Sequence, residues 1–550
     1  MLITSGRSIC LIGNAVDEYG RDAFKSIFIR GGKIEDIQSG RVDLDTGQWE
    51  IIDLSEADLI FPGFINLHTH TDYNIFPLWT SPVLWKSRHQ WRANNEYRTH
   101  IKEFKAFIEN SWTDHQDLIS RAASYIHHDH QLLFKKDLVA TQSILAEFLS
   151  EVRKMHGIVT ELQAVAGGTT LIQQTMDLSK ESNEEKSFII RNTGNLTDLD
   201  LIGNKTIESV VDFFRPTPGM SGDPAAANGN TANFATEQRG GLSQFIQEVK
   251  GGNQTRLATI AHLAEGRSGN LLPGPDEYSR NEFVAFVDAC SKNTIGACLR
   301  HANLSLTHVN GINTEDDQHL HFLQDNHISL IWSPVSNLLL YGDTVSAEKL
   351  VAAGVNVCLG SDWAPSGSKH VWDELKFAYQ LSQNIGRPIP TVELYKMASM
   401  NATSALGGLK CGQIQKGFFA DFFILRRDVT NQSPMDALIN LDDRAVLATI
   451  VNGRIVYGSP EIYDKLGVLD YETISKSEGK VAQTKAVSIN KQLDFKLGKS
   501  LALLDELFGH YTSKVLSEPN LKRTKLLSAD DELYRKKIAQ VLQMASGRTF

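Results

Sequence analysis

The sequence predicts an α/β barrel over residues 62–409, accompanied by a small β domain drawn from both flanks. Apolar strand-like runs alternate with helix-like stretches: GTTLIQQ, KSFIIRNTG, TRLATIAHLAE, ANLSLTHVNGI, HISLIWSPVSN and VNVCLGSDWAP. That alternation is the signature of βαβ units in a parallel sheet, and about eight such units close a barrel. Histidine, glutamate and aspartate stand where several of the runs end, on the side where barrels build their sites. The flanks lack this rhythm and read as short strands joined by turns.

The elements follow in order. SICLIG, SIFIRGGKIEDI and WEIIDLS alternate as strands within the first 60 residues. FPGFINLHTH then carries a buried, parallel-strand style of run from Phe61 to Leu67, punctuated at its start by Pro62-Gly63. Residues 74–160 form a long excursion, rich in Trp (79, 85, 91 and 112) and then helical; His127, His128 and His130 within it read as surface residues. The Ser/Gly/Asn/Ala-rich segment 217–236 is a long loop on the side of the strand ends or a disordered connection. ADFFIL (420–425) and AVLATIVNGRIVYG (445–458) return to strand texture, and Asn452-Gly453 is a strong hairpin signal. Residues 459–550 hold amphipathic stretches and read as a helical extension.

Composition narrows the class. Hydrophobic residues at 41% and charged residues at 22% are ordinary for a globular protein. A net charge of −10 argues against nucleic acid or an anionic membrane as partner. The five cysteines (Cys10, Cys290, Cys298, Cys358, Cys411) are widely spread and form no CxxC motif, as expected of reduced core thiols. Neither a signal peptide nor an 18-residue apolar span is recognisable, so a cytoplasmic protein is expected.

The chemistry begins with His68 and His70. Side chains two apart on a strand share a face, so the pair converges as half of a first-row metal site. HLAEG adds His262 and Glu265, LSLTHVNG adds His308, SPVSN brings Ser333 and Asn337, and LGSDW brings Asp362. Strand C-termini of a barrel open on one face, so these residues can meet despite their distance in sequence.

These motifs, with AGGTTLIQ (166–173), ATSALGG (402–408) and IQKGFFADFFIL (414–425), resemble the amidohydrolase superfamily, in the branch of guanine deaminase and triazine chlorohydrolases. The resemblance covers about residues 1–458. It implies a distorted TIM (β/α)8 barrel (62–409), a composite β-sandwich from 1–61 and 410–458, and an extension (459–550) without counterpart. It also implies one divalent transition metal, zinc or alternatively iron(II), held by His68, His70, His262 and Asp362. A second metal would need a lysine on the fourth strand, where KSFIIRNTG ends in Arg191-Asn192.

Residue chemistry then assigns roles. The metal lowers the pKa of a water to about 7. Asp362 accepts its proton, His308 stabilises the developing alkoxide, and Glu265 shuttles protons to the ring and the leaving group. Trp79, Arg88, Trp91, Arg191, Asn337 and Trp363 are expected around the substrate, although the tryptophans can equally pack the long excursion onto the barrel and Asn337 can cap a helix. The expected reaction is hydrolysis of a non-peptide C–N bond in a small cyclic, heteroaromatic compound, with deamination ahead of cyclic-amide opening of the imidazolonepropionase kind and of dechlorination. A non-catalytic barrel acting through its C-terminal extension is the alternative class. Relatives of this kind are commonly dimers, so a homodimer acting on a small molecule, with no nucleic acid or membrane partner, is expected.

Overall fold

The computed structural model describes residues 8–43, 48–70, 83–94, 157–173, 189–193, 206–214, 240–252, 256–427, 432–465, 468, 471–478 and 481–488. The first flank supplies β1 (Ile9–Val16), β2 (Asp22–Arg30), β3 (Lys33–Ser39), β4 (Glu50–Asp53) and β5 (Asp58–Pro62). Gly31 and Gly32 turn β2 into β3 at φ 58° and 76°, the left-handed backbone that a two-residue hairpin turn of this kind requires.

The run from Phe61 to Leu67 is two strands rather than one. β5 ends at Pro62, and β6 (Phe64–Asn66) begins a different sheet. Pro62 has no N–H with which to continue a ladder. The Gly63 N–H turns to the Asp421 carbonyl at 2.9 Å, and a Cβ on Gly63 would stand 2.2 Å from the Thr170 hydroxyl oxygen. Only a residue without a side chain fits this crossing between sheets.

From β6 the chain forms parallel strands whose spatial order is their chain order. β6, β7 (Thr169–Ile172) and β8 (Arg191–Asn192) make one arc. β9 (Thr206–Asp212), β10 (Arg256–Leu263), β11 (Leu304–His308), β12 (Ser329–Trp332) and β13 (Val357–Leu359) make the other. A parallel bridge between Thr69 and Asp362 joins the end of the first strand to the end of the last. Helices separate the strands of the second arc: Glu277–Lys292, Asp317–Asp325, Pro334–Tyr341 and Ala347–Ala352, with Val371–Asn384 following β13. Asp276 and Asp316 cap the first two by accepting the N–H of Ser279 and Gln318. This is a TIM-barrel-type α/β fold. Ile65, Leu171, Ala258, Ile260, Ile331 and Cys358 pack together in one buried cluster. His262 lies on the same face of β10 as Ala258 and Ile260, one strand period further on.

The second flank returns to β5. β14 (Phe422–Arg426) pairs antiparallel with β5, followed by β15 (Val446–Val451) and β16 (Arg454–Gly458), with Asn452 and Gly453 at φ 54° and 70° in the turn. The sheet continues beyond residue 458, where a helical extension was expected. After a short helix, Pro460–Lys465, strands β17 (Glu472–Glu478) and β18 (Val481–Val487) form a hairpin, and β18 pairs with β16 to complete ten strands. One cue is legible afterwards: Gly479-Lys480 is a Gly-X turn signal. The amphipathic stretches beyond 488, the loop 217–236 and His127, His128 and His130 lie outside the described residues. Among the described residues no helix is long and apolar enough to cross a membrane.

Arg191 corrects one expectation. Its guanidinium is buried against Asp421, with Nε 2.9 Å from Oδ2, and stacks on the Phe419 ring 4.4 Å away. Asp421 also accepts the Asn452 N–H at 2.7 Å. Arg191 is level with Leu171 and Ile65 in the strand register, well before the histidines. It therefore ties the first arc to the ten-stranded sheet instead of meeting a substrate, because a buried guanidinium requires a carboxylate partner. Arg191→Met should lose about 3–5 kcal/mol of stability by stranding Asp421, read as a lower urea midpoint, while the bound-metal stoichiometry stays that of the parent. A variant of unchanged stability would contradict this assignment.

Candidate active site

Four elements aim their last residues at one point. His68 and His70 follow β6, His262 is the penultimate residue of β10, His308 ends β11, and Asp362 lies three residues past β13. The rings pack within a few ångströms: centroids of His68 lie 4.9 Å from His70, 4.8 Å from His262 and 5.2 Å from His308. Asp362 Oδ1 is 2.8 Å from His68 Nε2 and 3.5 Å from His70 Nε2. Its other oxygen is 3.8 Å from His308 Nε2. All are buried except His70, whose side chain is 21% exposed.

The backbone is strained where it delivers these groups. Ala264, His308, Val309 and Asp362 take φ of 55°, 69°, 48° and 61°, a left-handed region that costs non-glycine residues on the order of 1–3 kcal/mol each. Specific bonds hold it there. The buried Glu282 carboxylate accepts the Ala264 N–H at 2.7 Å, the Val309 N–H reaches the Leu263 carbonyl at 3.1 Å, and the Asp362 N–H reaches the His68 carbonyl at 2.8 Å.

Two amides set the imidazole protons. Gln173 Oε1 accepts the Thr69 N–H and lies 3.1 Å from His68 Nδ1. An amide oxygen only accepts, so Nδ1 carries a proton and Nε2 is the nitrogen turned toward Asp362. Asn337 repeats the device at His308, with Oδ1 3.0 Å from Nδ1 while its NH2 donates to Asn310 and Thr344. Asn337 was expected at the substrate or as a helix cap. It is neither, because both ends of its amide are engaged inside the protein and Ser333 occupies the cap position of its helix.

Electrostatics match this arrangement. Burial alone would raise the Asp362 carboxyl, but the imidazoles of His68, His308 and His70 hold it well below the ordinary carboxylate range. Burial, with the neighbouring His68 and Arg88, keeps His262 neutral far below the usual imidazole value. His68, His70 and His262 form one group that could hold a metal, and His68, His308 and Asp362 form another. Two atoms fit that reading. His262 Nδ1 is buried without a hydrogen-bond partner among the described residues, and His68 Nε2 makes no hydrogen bond of normal geometry despite the nearby carboxylate. Imidazole nitrogens without hydrogen-bond partners beside an ionised carboxylate are the donor types that a divalent transition metal takes.

Glu265 stands beside this centre. One oxygen, Oε2, is 3.8 Å from both His308 Nε2 and Arg88 Nη1, and Oε1 accepts the Tyr341 hydroxyl at 2.5 Å. The Trp91 indole N–H donates to that hydroxyl at 2.9 Å, and Trp91 stacks on Trp363 at 5.3 Å. Segment 83–94 is docked here by backbone contacts, Arg88 N–H to the Glu265 carbonyl and Trp85 N–H to the Leu340 carbonyl. Trp91 thus packs the excursion onto the barrel beside Glu265 and Tyr341. Trp79 lies outside the described residues. Sequence reading missed Gln173, Glu282 and Tyr341. Gln173 closes the quoted AGGTTLIQ motif at a strand end, a position that could have flagged it, whereas nothing local marks Glu282 or Tyr341.

Comparison with known proteins agrees with this fold. Residues 282–456 match the amidohydrolase family. The 5-methylthioadenosine/S-adenosylhomocysteine deaminase of Caldicellulosiruptor saccharolyticus is 30% identical over 152 residues, 26% of this chain and 35% of that protein. The 5'-deoxyadenosine deaminase of Methanococcoides burtonii is 30% identical over 150 residues, 26% of this chain and 34% of its own length. The chain therefore spans about a third of the length of these curated relatives. Among solved structures, an adenosine deaminase from Xanthomonas campestris with bound zinc superposes at a TM-score of 0.51 with 12% identity, over 92% of this chain and 99% of that one. Guanine deaminase from C. acetobutylicum with bound guanine gives 0.50 and 17%, over 82% and 100%. The resemblance carried by the motifs is to the amidohydrolases, and the family match over residues 282–456 agrees with it, while the solved structures share the fold.

Gln173→Leu should leave the fold intact and weaken zinc binding about 10–100-fold by freeing the His68 tautomer, measured by chelator competition. Parent-like affinity would show that Gln173 does not set the ring.

Proposed function

We propose that this chain is a metal-dependent hydrolase of non-peptide C–N bonds that deaminates a small heteroaromatic amine. The observation that carries it is the placement of one carboxylate, Glu265, beside a cluster of four histidines and an ionised aspartate, buried except at His70. His68, His70, His262 and Asp362 would hold one divalent transition metal, zinc first and iron(II) second. Bound there, such an ion acts as a Lewis acid and lowers the pKa of a water to about 7.

The chain's own groups handle the protons. Asp362, ionised and facing His68 and His308, accepts the proton of the attacking water. Glu265 Oε2 gives its proton to a ring nitrogen as the attack proceeds. It takes the proton of the added hydroxyl as the intermediate collapses to a carbonyl, and delivers it to the departing nitrogen, which leaves as ammonia. The proton held on Asp362 then restores Glu265. Without that acid the leaving group would be amide ion, far too basic to depart. His308, with its proton fixed on Nδ1 by Asn337, keeps Nε2 toward the reacting centre and orients the oxygen that develops charge. Trp91 and Trp363 supply a flat apolar wall for a ring, and Arg88 lies against Glu265.

The deaminase names of the relatives, all acting on adenine-bearing compounds, support a purine amine as substrate. We further propose a closed, distorted barrel (62–409) with a composite β domain from residues 1–61 and from 410 onward, acting as a cytoplasmic homodimer on a small molecule, without nucleic acid or membrane partners. The consecutive order of the parallel strands and the Thr69–Asp362 bridge support the closure.

Ammonia release from 5'-methylthioadenosine, 5'-deoxyadenosine, adenosine and guanine tests the reaction, together with elemental analysis. One metal per chain and turnover of a purine amine are expected, and a metal-loaded chain that deaminates none of them defeats the reading. Glu265→Gln should keep the metal and lose about 10²–10⁴-fold in kcat. Loss of metal in that variant would make Glu265 a ligand instead.

A further inference from the structure

The helix Pro334–Tyr341 carries Asn337 and Tyr341 four residues apart, a spacing that puts both on one helix face. Asn337 holds His308 and Tyr341 holds Glu265, so the group that would orient the reacting oxygen and the group that would shuttle protons are set by a single rigid element. We propose that Tyr341 is a positioning residue for the proton shuttle, fixing which oxygen of Glu265 transfers the proton. This rests on Glu265 being the shuttle of the proposed deamination.

The geometry distinguishes the two carboxylate oxygens. Oε1 is occupied by the Tyr341 hydroxyl, which is itself oriented by the Trp91 indole N–H. Oε2 is left facing His308 and Arg88. Tyr341 is fully buried, and burial together with the Glu265 charge pushes its hydroxyl well above the usual phenol range, so it stays a donor. A glutamate side chain has three rotatable bonds and in a cavity would exchange its oxygens between positions. Pinned at Oε1, it presents Oε2 at one place throughout, through both the protonation of the ring and the protonation of the leaving group. Tyr341 is held in turn: the helix ends at Gly342, whose φ of 65° terminates it, and the Tyr341 carbonyl accepts Arg267 Nε at 3.3 Å.

The test uses the zinc-loaded full chain and the variant Tyr341→Phe, which removes one oxygen. With the purine amine turned over fastest by the parent, kcat should fall about 10–100-fold, the range expected when a reacting group is misplaced. KM should stay within about twofold and zinc content should stay unchanged, because binding is not what the hydroxyl serves. A parent-like kcat, or a raised KM at constant kcat, overturns the proposal; the latter makes Tyr341 a substrate contact. A readout without turnover comes from 19F spectra of chain labelled with 3-fluorotyrosine. The Tyr341 resonance, assigned as the one missing from Y341F, should move in E265Q, and an unmoved resonance overturns the pairing. If no purine is deaminated yet that resonance moves, the reaction assigned above fails while the Tyr341–Glu265 pairing stands. Should Y341F fail to fold, Trp91→Phe removes the donor behind Tyr341: a lower kcat at parent zinc content supports the proposal, and an unchanged kcat overturns it.

Discussion

A buried negative charge organises this molecule. Asp362 is withdrawn from water at the bottom of the site, and an isolated carboxylate there would carry a desolvation penalty of several kcal/mol. Three imidazoles lie within 4 Å of its oxygens, and its own N–H is bonded to the His68 carbonyl. These partners come from the first strand of one arc and from the second arc, so satisfying the charge draws the two arcs together. Beside the charge, Asn66 donates to Ser361 at 2.7 Å and accepts the Ser361 N–H, contacts spanning 295 residues of chain. The contacts that form the site also join the two arcs at the Thr69–Asp362 bridge, which explains why the strained backbone at Asp362 is tolerated.

Around that centre, rigidity is delivered from behind. Gln173, Asn337, Glu282 and Tyr341 each hold a residue of the site or the strained backbone that delivers it, and each belongs to an element packed in the core. Left-handed residues at three strand ends turn the side chains inward where a regular strand would carry them past one another. Placing a group on a strained turn costs stability, and the compensating bonds come from buried carboxylates and amides whose partners are fixed.

The sequence displayed the clustered histidines and the aspartate because their signals are local. A His-x-His after an apolar run, and an aspartate after another, carry their own geometry through strand periodicity. The parallel strands and the flank hairpins were legible for the same reason. What supports those residues was not. Arg191 looked like a group at the open end of a strand, yet its partner Asp421 lies 230 residues away and belongs to the other sheet. Asn337 read as a substrate contact or a helix cap and Tyr341 as an ordinary helix residue, since only the hydrogen bonds to His308 and Glu265 reveal what they do. The hairpin β17–β18 was hidden by the amphipathic stretches that follow it and by strands that show no apolar alternation, although Gly479-Lys480 is a turn signal.

The ten-stranded sheet has a consequence for how the protein is born. β5 must pair with β14, and Asp58 and Arg426, which meet across that pair, are separated by 368 residues. At about 5–20 residues per second, a ribosome needs on the order of 20–70 s to make that stretch. Throughout this interval β5 presents an unpaired, apolar edge, the kind of surface that recruits neighbouring nascent chains. Polysomes crowded with this message therefore face an aggregation hazard, and a cell's output of the active chain depends on holdase capacity during elongation as well as on the stability of the finished fold.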